Sequence, residues 1–126
     1  MRQIILFTIS MVSINAFSAD FYQCEGFAGV DEYRVGINLQ TGKSGFFDND
    51  SMSYMKLVKR MSLETSPAQN VAIFQGKDER STGDLQLYFN ETAQNATLTI
   101  LYADLTTELI GEASCQEIEE SWDDLK

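Results

Sequence analysis

Cys24 and Cys115 are the only cysteines in this 126-residue chain, and nearly everything that follows its first two dozen residues lies between them. They stand behind an N-terminal segment with the parts of an export signal. An exported chain with an even cysteine count closes disulfides in the oxidising compartment it reaches. The two are too far apart for a CxxC redox pair, and the chain has no histidine to join them at a metal. One structural disulfide between the first and last strands is therefore expected. Closing so long a loop removes about 4–5 kcal/mol of unfolded-chain entropy in the simplest model, a large share of the roughly 5–15 kcal/mol that holds a small domain together.

Residues 1–19 read as the signal peptide. Arg2 supplies the positive end, Ile4 to Val12 the apolar core, and Asn15-Ala16-Phe17-Ser18-Ala19 the small residues for cleavage after Ser18 or Ala19. The apolar core falls short of the roughly 20 residues that span a bilayer, and no later stretch approaches that length, so no membrane span is expected. Phe21-Tyr22-Gln23 ahead of Cys24 lacks the small residues of a lipid-anchor site. The expected location is secreted or periplasmic. The rest divides into a single domain, residues 20–116, and an acidic tail, residues 117–126.

Charge narrows the partners. Residues 1–19 hold one of the nine Lys+Arg and none of the 19 Asp+Glu, so the mature chain carries 8 against 19, a net charge of −11. Nucleic acid and anionic membranes select for clustered Lys and Arg, and both are disfavoured. A basic protein would be steered toward such a surface.

Between the cysteines the chain alternates. Phe21 to Gly26 is a first strand ending at Gly26-Phe27-Ala28-Gly29. Tyr33, Val35, Ile37 and Leu39 then point one way and Arg34, Gly36, Asn38 and Gln40 the other, the period of a half-buried antiparallel strand. Thr41-Gly42-Lys43 turns the chain into Lys43 to Phe47, and Asp48-Asn49-Asp50-Ser51 turns it again. Ser51 to Thr65 is ambiguous. Met55, Leu57, Met61 and Leu63 share the parity of a long strand, while Tyr54, Val58 and Met61 share a helical face; strand is favoured. Ser66 to Asn70 is a turn around the only proline. Val71 to Gln75, Leu85 to Asn90, Ala96 to Ala103 and Thr107 to Gln116 complete the set. About eight short strands with short turns predict an all-β protein, a small antiparallel up-and-down barrel or sandwich, its first and last strands linked by Cys24 and Cys115.

Catalytic and cofactor chemistry finds little footing. Without histidine, Ser-His-Asp and Cys-His catalysis are excluded, as is the commonest zinc ligand. Carboxylate pairs can cleave glycosides, but 19 acidic residues place some pair together by chance. No enzyme, cofactor or metal is expected. Asp48-Asn49-Asp50-Ser51 opens like a calcium loop, yet Ser53 and Lys59 stand where that loop needs Gly and Glu, so turn chemistry explains it. Asn90-Glu91-Thr92 and Asn95-Ala96-Thr97 match the N-glycosylation triplet and carry no functional weight. Lys56, Lys59 and Arg60 form the one basic cluster, read as a solvated face neutralised by nearby acids or as a patch for an anionic ligand. Five tyrosines and eight phenylalanines supply core or the lining of a ligand cup. In the tail, Ile118, Trp122 and Leu125 share a helical face. Trp122, with Asp123 and Asp124, is the candidate partner-binding group, since tryptophan anchors interfaces; the alternative has it capping the barrel.

The layout of an exported acidic β-domain with one cysteine in the first strand and one in the last is similar to that of the small periplasmic lysozyme inhibitors of the membrane-bound/C-type class. That resemblance covers architecture only. It implies an antiparallel barrel presenting a loop to a basic hydrolase. The family's aromatic and lysine-containing inhibitory loop has no counterpart here, so no residue role carries over. The functional expectation is a non-enzymatic exported barrel that binds a protein or envelope partner, such as a basic cell-wall hydrolase. The alternative is a lipocalin-like carrier of a small apolar ligand, which requires an unfilled interior.

Overall fold

The computed structural model describes residues 21–30, 32–79, 81–119 and 125. Residues 1–19, read above as a signal peptide, and the tail residues Trp122, Asp123 and Asp124 lie outside that set. Eight strands follow one another: β1 Phe21–Glu25, β2 Arg34–Asn38, β3 Lys43–Asp48, β4 Ser51–Leu63, β5 Gln69–Lys77, β6 Asp84–Asn90, β7 Asn95–Leu101 and β8 Thr107–Glu117. Each pairs antiparallel with its neighbour in sequence, and β8 returns to β1, closing the barrel. Closure leaves no through-running sheet edge. Cys24 sits directly opposite Cys115 in the β1–β8 ladder, and the two form the expected disulfide. No helix among the described residues is long and apolar enough to cross a membrane.

Period-two alternation decides what points inward. Tyr22, Cys24, Val35, Ile37, Phe46, Met55, Phe74, Leu85, Leu87, Phe89, Leu98 and Ile100 are all buried and converge in one cluster. Tyr22 meets Phe89 at 4.9 Å between ring centroids, and Tyr33 meets Phe46 edge-on at 5.3 Å, both favoured aromatic arrangements. Polar atoms facing this interior are satisfied: the Ser44 hydroxyl donates to the Gly36 carbonyl (2.8 Å), and Ser53 Oγ accepts the Glu79 N–H (2.8 Å).

The turns follow from short amide and carboxylate side chains that hydrogen-bond their own backbone. Asn38 Oδ1 accepts the N–H groups of Gln40 and Thr41, and Asp48 Oδ1 those of Asp50 and Ser51. Asn90 Oδ1 accepts from Thr92 and Ala93, and Asp104 Oδ1 from the N–H and hydroxyl of Thr106. Asp48 thus behaves as a turn residue, as its departure from the calcium pattern suggested.

Ser51–Leu63 is strand, and the helical alternative for it is ruled out. Its parity, however, is not uniform. A β-bulge at Val58 shifts the β4–β5 register between Leu57 and Lys59, and an inserted residue reverses which face the following side chains take. Met55 and Leu57 point toward the core, whereas Met61 and Leu63 emerge on the exposed outer face. The two pairs do not share one face. β5 also begins earlier and ends later than the apolar run Val71–Gln75, taking in Gln69, Asn70, Gly76 and Lys77; its ladder needs only backbone, and none of these four added residues is buried. Beyond β8, Leu125 is 1% exposed. It packs on the outer face at Gly45, where an added Cβ would lie 3.4 Å from Leu125 Cδ2.

Candidate functional site

In an up-and-down barrel alternate connections gather at the same end. The β1–β2, β3–β4, β5–β6 and β7–β8 connections share one mouth of this molecule. Its floor is a single 3-10 turn, Phe27–Gly29, entered through Gly26 at φ 84°, a left-handed conformation glycine adopts without penalty. Phe27 is fully buried beneath it. Gly111, at an irregularity of β8, lets that strand close on the turn: a Cβ there would run into the Ala28 backbone nitrogen.

Above this floor lies a cleft of about 440 Å³. The β1–β2 connection contributes Ala28, Val30 and Tyr33, the β5–β6 loop Asp78 and Ser81, and the β7–β8 hairpin Ile100, Tyr102, Glu108, Leu109 and Ile110. Each polar group has a structural reason for its place. The Asp78 N–H donates to the Gly83 carbonyl (3.1 Å), and Asp78 Oδ2 accepts the Ser81 hydroxyl (2.9 Å). The same loop is tied down by the Glu79 N–H on Ser53. Asp78 is therefore 3% exposed while its loop stays at the surface. In the same lining, Tyr102 Oη donates to Glu108 Oε1 at 2.7 Å, a charge-assisted bond that fixes both side chains.

The β7–β8 turn projects beside the cleft. Tyr102 exchanges backbone bonds with Thr106 and Leu105 at 2.9 Å each, which places Leu105 at φ 69° with 81% of its surface exposed. Leu109 on the flank of the cleft is 59% exposed. Asp104, at the base of the turn, has its carboxyl held below the ordinary 3.8 by the Thr106 hydroxyl first and the Thr106 N–H second.

The described residues of these mouth connections and the adjoining strand ends bring Glu25, Glu32, Asp48, Asp50, Asp78, Glu79, Asp84, Asp104 and Glu108 to one end, with Arg34 and Lys77 as their cations. Lys77 is paired with Asp84 at 3.3 Å. Negative charge is thus concentrated around a cleft walled by Val30, Tyr33, Tyr102 and Leu109. Such a site suits a cationic group on an apolar stem, because carboxylates attract the charge and tyrosine faces accept it.

Of the sequence-predicted site residues, Cys24 and Cys115 form the disulfide. Trp122, Asp123 and Asp124 fall outside the described residues, although their neighbour Leu125 is seated on β3. The basic cluster divides: Arg60 forms a two-point salt bridge with Glu91 (2.7 and 3.2 Å), while Lys56 and Lys59 have no ion-pair partner among the described residues. The mouth cleft escaped sequence reading because its walls come from three distant connections. One signal was available, a leucine at the centre of the polar turn Asp104-Leu105-Thr106. Comparison with protein-family models, with curated proteins and with solved structures returns no match.

Proposed function

We propose that this protein is an exported, non-enzymatic binding protein whose acidic barrel mouth captures a basic protein partner. A basic cell-wall hydrolase such as lysozyme fits that description. The observation that carries the reading is the cleft itself, lined by the Tyr102–Glu108 pair and by Asp78, with Leu105 and Leu109 exposed beside it. An arginine or lysine of the partner enters between the carboxylates while the leucines cover its apolar surroundings, the anatomy of a small hot spot with a charged rim. The disulfide suits an oxidising, periplasmic or extracellular compartment. The filled interior supports surface binding over the carrier alternative: Phe46, Phe74, Phe89, Leu87 and Leu98 occupy the space an enclosed ligand would need.

The test uses the mature disulfide-bonded chain and lysozyme in a sedimentation or calorimetric titration. Association that weakens steeply with salt, and weakens again in Glu108→Gln, is the expected result. No association at low salt with lysozyme or other basic envelope hydrolases overturns the reading.

A further inference from the structure

β4 outruns the barrel. Its pairing with β3 ends at Lys43 opposite Lys56, and the Leu57 N–H then bonds the Gly42 carbonyl of the β2–β3 turn at 2.8 Å. Past the bulge at Val58, β4 pairs with β5 from Lys59 to Leu63 on one side and with no strand on the other among the described residues. The six residues from Val58 to Leu63 are all exposed. At about 3.3 Å per residue they make an open edge of about 20 Å, lined with backbone N–H and C=O groups that another strand can pair.

Side chains select the guest. After the bulge, Lys59, Met61 and Leu63 lie on the outer face, in line with Lys56, which directly faces Lys43. Opposed like charges disfavour each other, and none of these three lysines has an ion-pair partner among the described residues. A second copy paired antiparallel on the same edge would set its own Lys59 and Arg60 beside the first pair. An acidic strand relieves the repulsion instead. Running antiparallel to β4, it would lay its first half along Leu63 and Met61. Its last residues would come to rest by Lys59, Lys56 and Lys43.

We infer that the Val58–Leu63 edge of β4 is a strand-addition site for an extended protein segment that is apolar in its first half and acidic in its last. This surface is separate from the acidic mouth, at the opposite end of the barrel.

The probe is a fluorescent eight-residue peptide with alternate valines in its first half and alternate glutamates in its last, titrated by anisotropy into the mature disulfide-bonded chain. Saturable binding is expected, about tenfold weaker at 0.5 M salt than at 0.02 M as the charges are screened. A peptide N-methylated at alternate amides should not bind, because it cannot complete the ladder. The exposed double variant Lys56→Glu/Lys59→Glu should lose the acidic peptide and bind its lysine-substituted analogue. Three results overturn the inference: no binding at millimolar peptide, binding indifferent to N-methylation, or a concentration-dependent dimer in sedimentation that buries this edge.

Discussion

Replacing Leu105 by asparagine should stabilise the protein while weakening its hold on a basic partner. Leu105 sits at φ 69° in the β7–β8 turn, where the Cβ of an L-residue crowds the carbonyl at roughly 1–2 kcal/mol. Asparagine tolerates that conformation far better. Full burial of a leucine is worth about 1.5–3 kcal/mol, but this one is 81% exposed, so the apolar contact surrendered is only about 0.3–0.6 kcal/mol. The backbone bonds between Tyr102, Leu105 and Thr106 are untouched by the change. A net gain of about 0.5–1 kcal/mol follows, which for a domain of this size raises Tm by about 2–4 °C. If the leucine is retained for a partner, its removal should weaken lysozyme binding about fivefold, the effect of losing about 1 kcal/mol at an interface. Urea unfolding and calorimetry of the same preparation give both quantities. A loss of stability larger than 0.5 kcal/mol would refute the strain argument, and a gain with unchanged affinity would remove Leu105 from the binding surface.

Three further perturbations test the frame. Cys24→Ala with Cys115→Ala opens a loop of 91 residues in sequence separation and should cost about 4–5 kcal/mol in urea unfolding, as the chain-entropy model gives for that length; a cost under 1 kcal/mol would mean that barrel closure stands without the staple. Leu125→Ala should cost about 2–3 kcal/mol, the low end for a buried leucine, because its side chain is 1% exposed on Gly45; an effect within 0.5 kcal/mol would show the tail end undocked in solution. Asp104 binds its proton less readily when folded, owing to Thr106, so its contribution is complete above its unfolded value near 3.9. That contribution is lost as pH falls through the lower folded value. Asp104→Asn, which keeps an acceptor for Thr106, should flatten the stability profile below about pH 4, and an unchanged acid slope would disprove the assignment.

How much of this was legible depended on whether the information was local. Strands announced themselves wherever apolar side chains alternated without interruption, as in Arg34–Asn38 and Asp84–Asn90. The turns were visible in Asn38, Asp48 and Asn90, whose side chains act on backbone within three residues. Pairing Cys24 with Cys115 needed only the count of cysteines and the reading of residues 1–19 as an export signal. Period two then misled at Val58, because an inserted residue costs the pattern nothing in composition yet turns every later side chain over. In sequence Met61 and Leu63 share the parity of Met55 and Leu57, yet Met55 is buried and they are exposed. That reversal gives β4 the outer face from which strand addition is inferred. Had the parity held, Lys59 would point inward at the rim and the apolar side chains would be covered. With the bulge, three lysines without an ion-pair partner among the described residues and two apolar side chains share one outer surface beside an open edge. The mouth cleft was illegible for the opposite reason: Tyr33, Asp78 and Glu108 are remote in sequence, and only the meander's alternation of loop ends brings them together. Net charge alone therefore describes the chain poorly as a binding surface. Folding gathers carboxylates around the mouth and leaves Lys43, Lys56 and Lys59 clustered along β3 and β4, so the two ends present opposite charge to whatever approaches them.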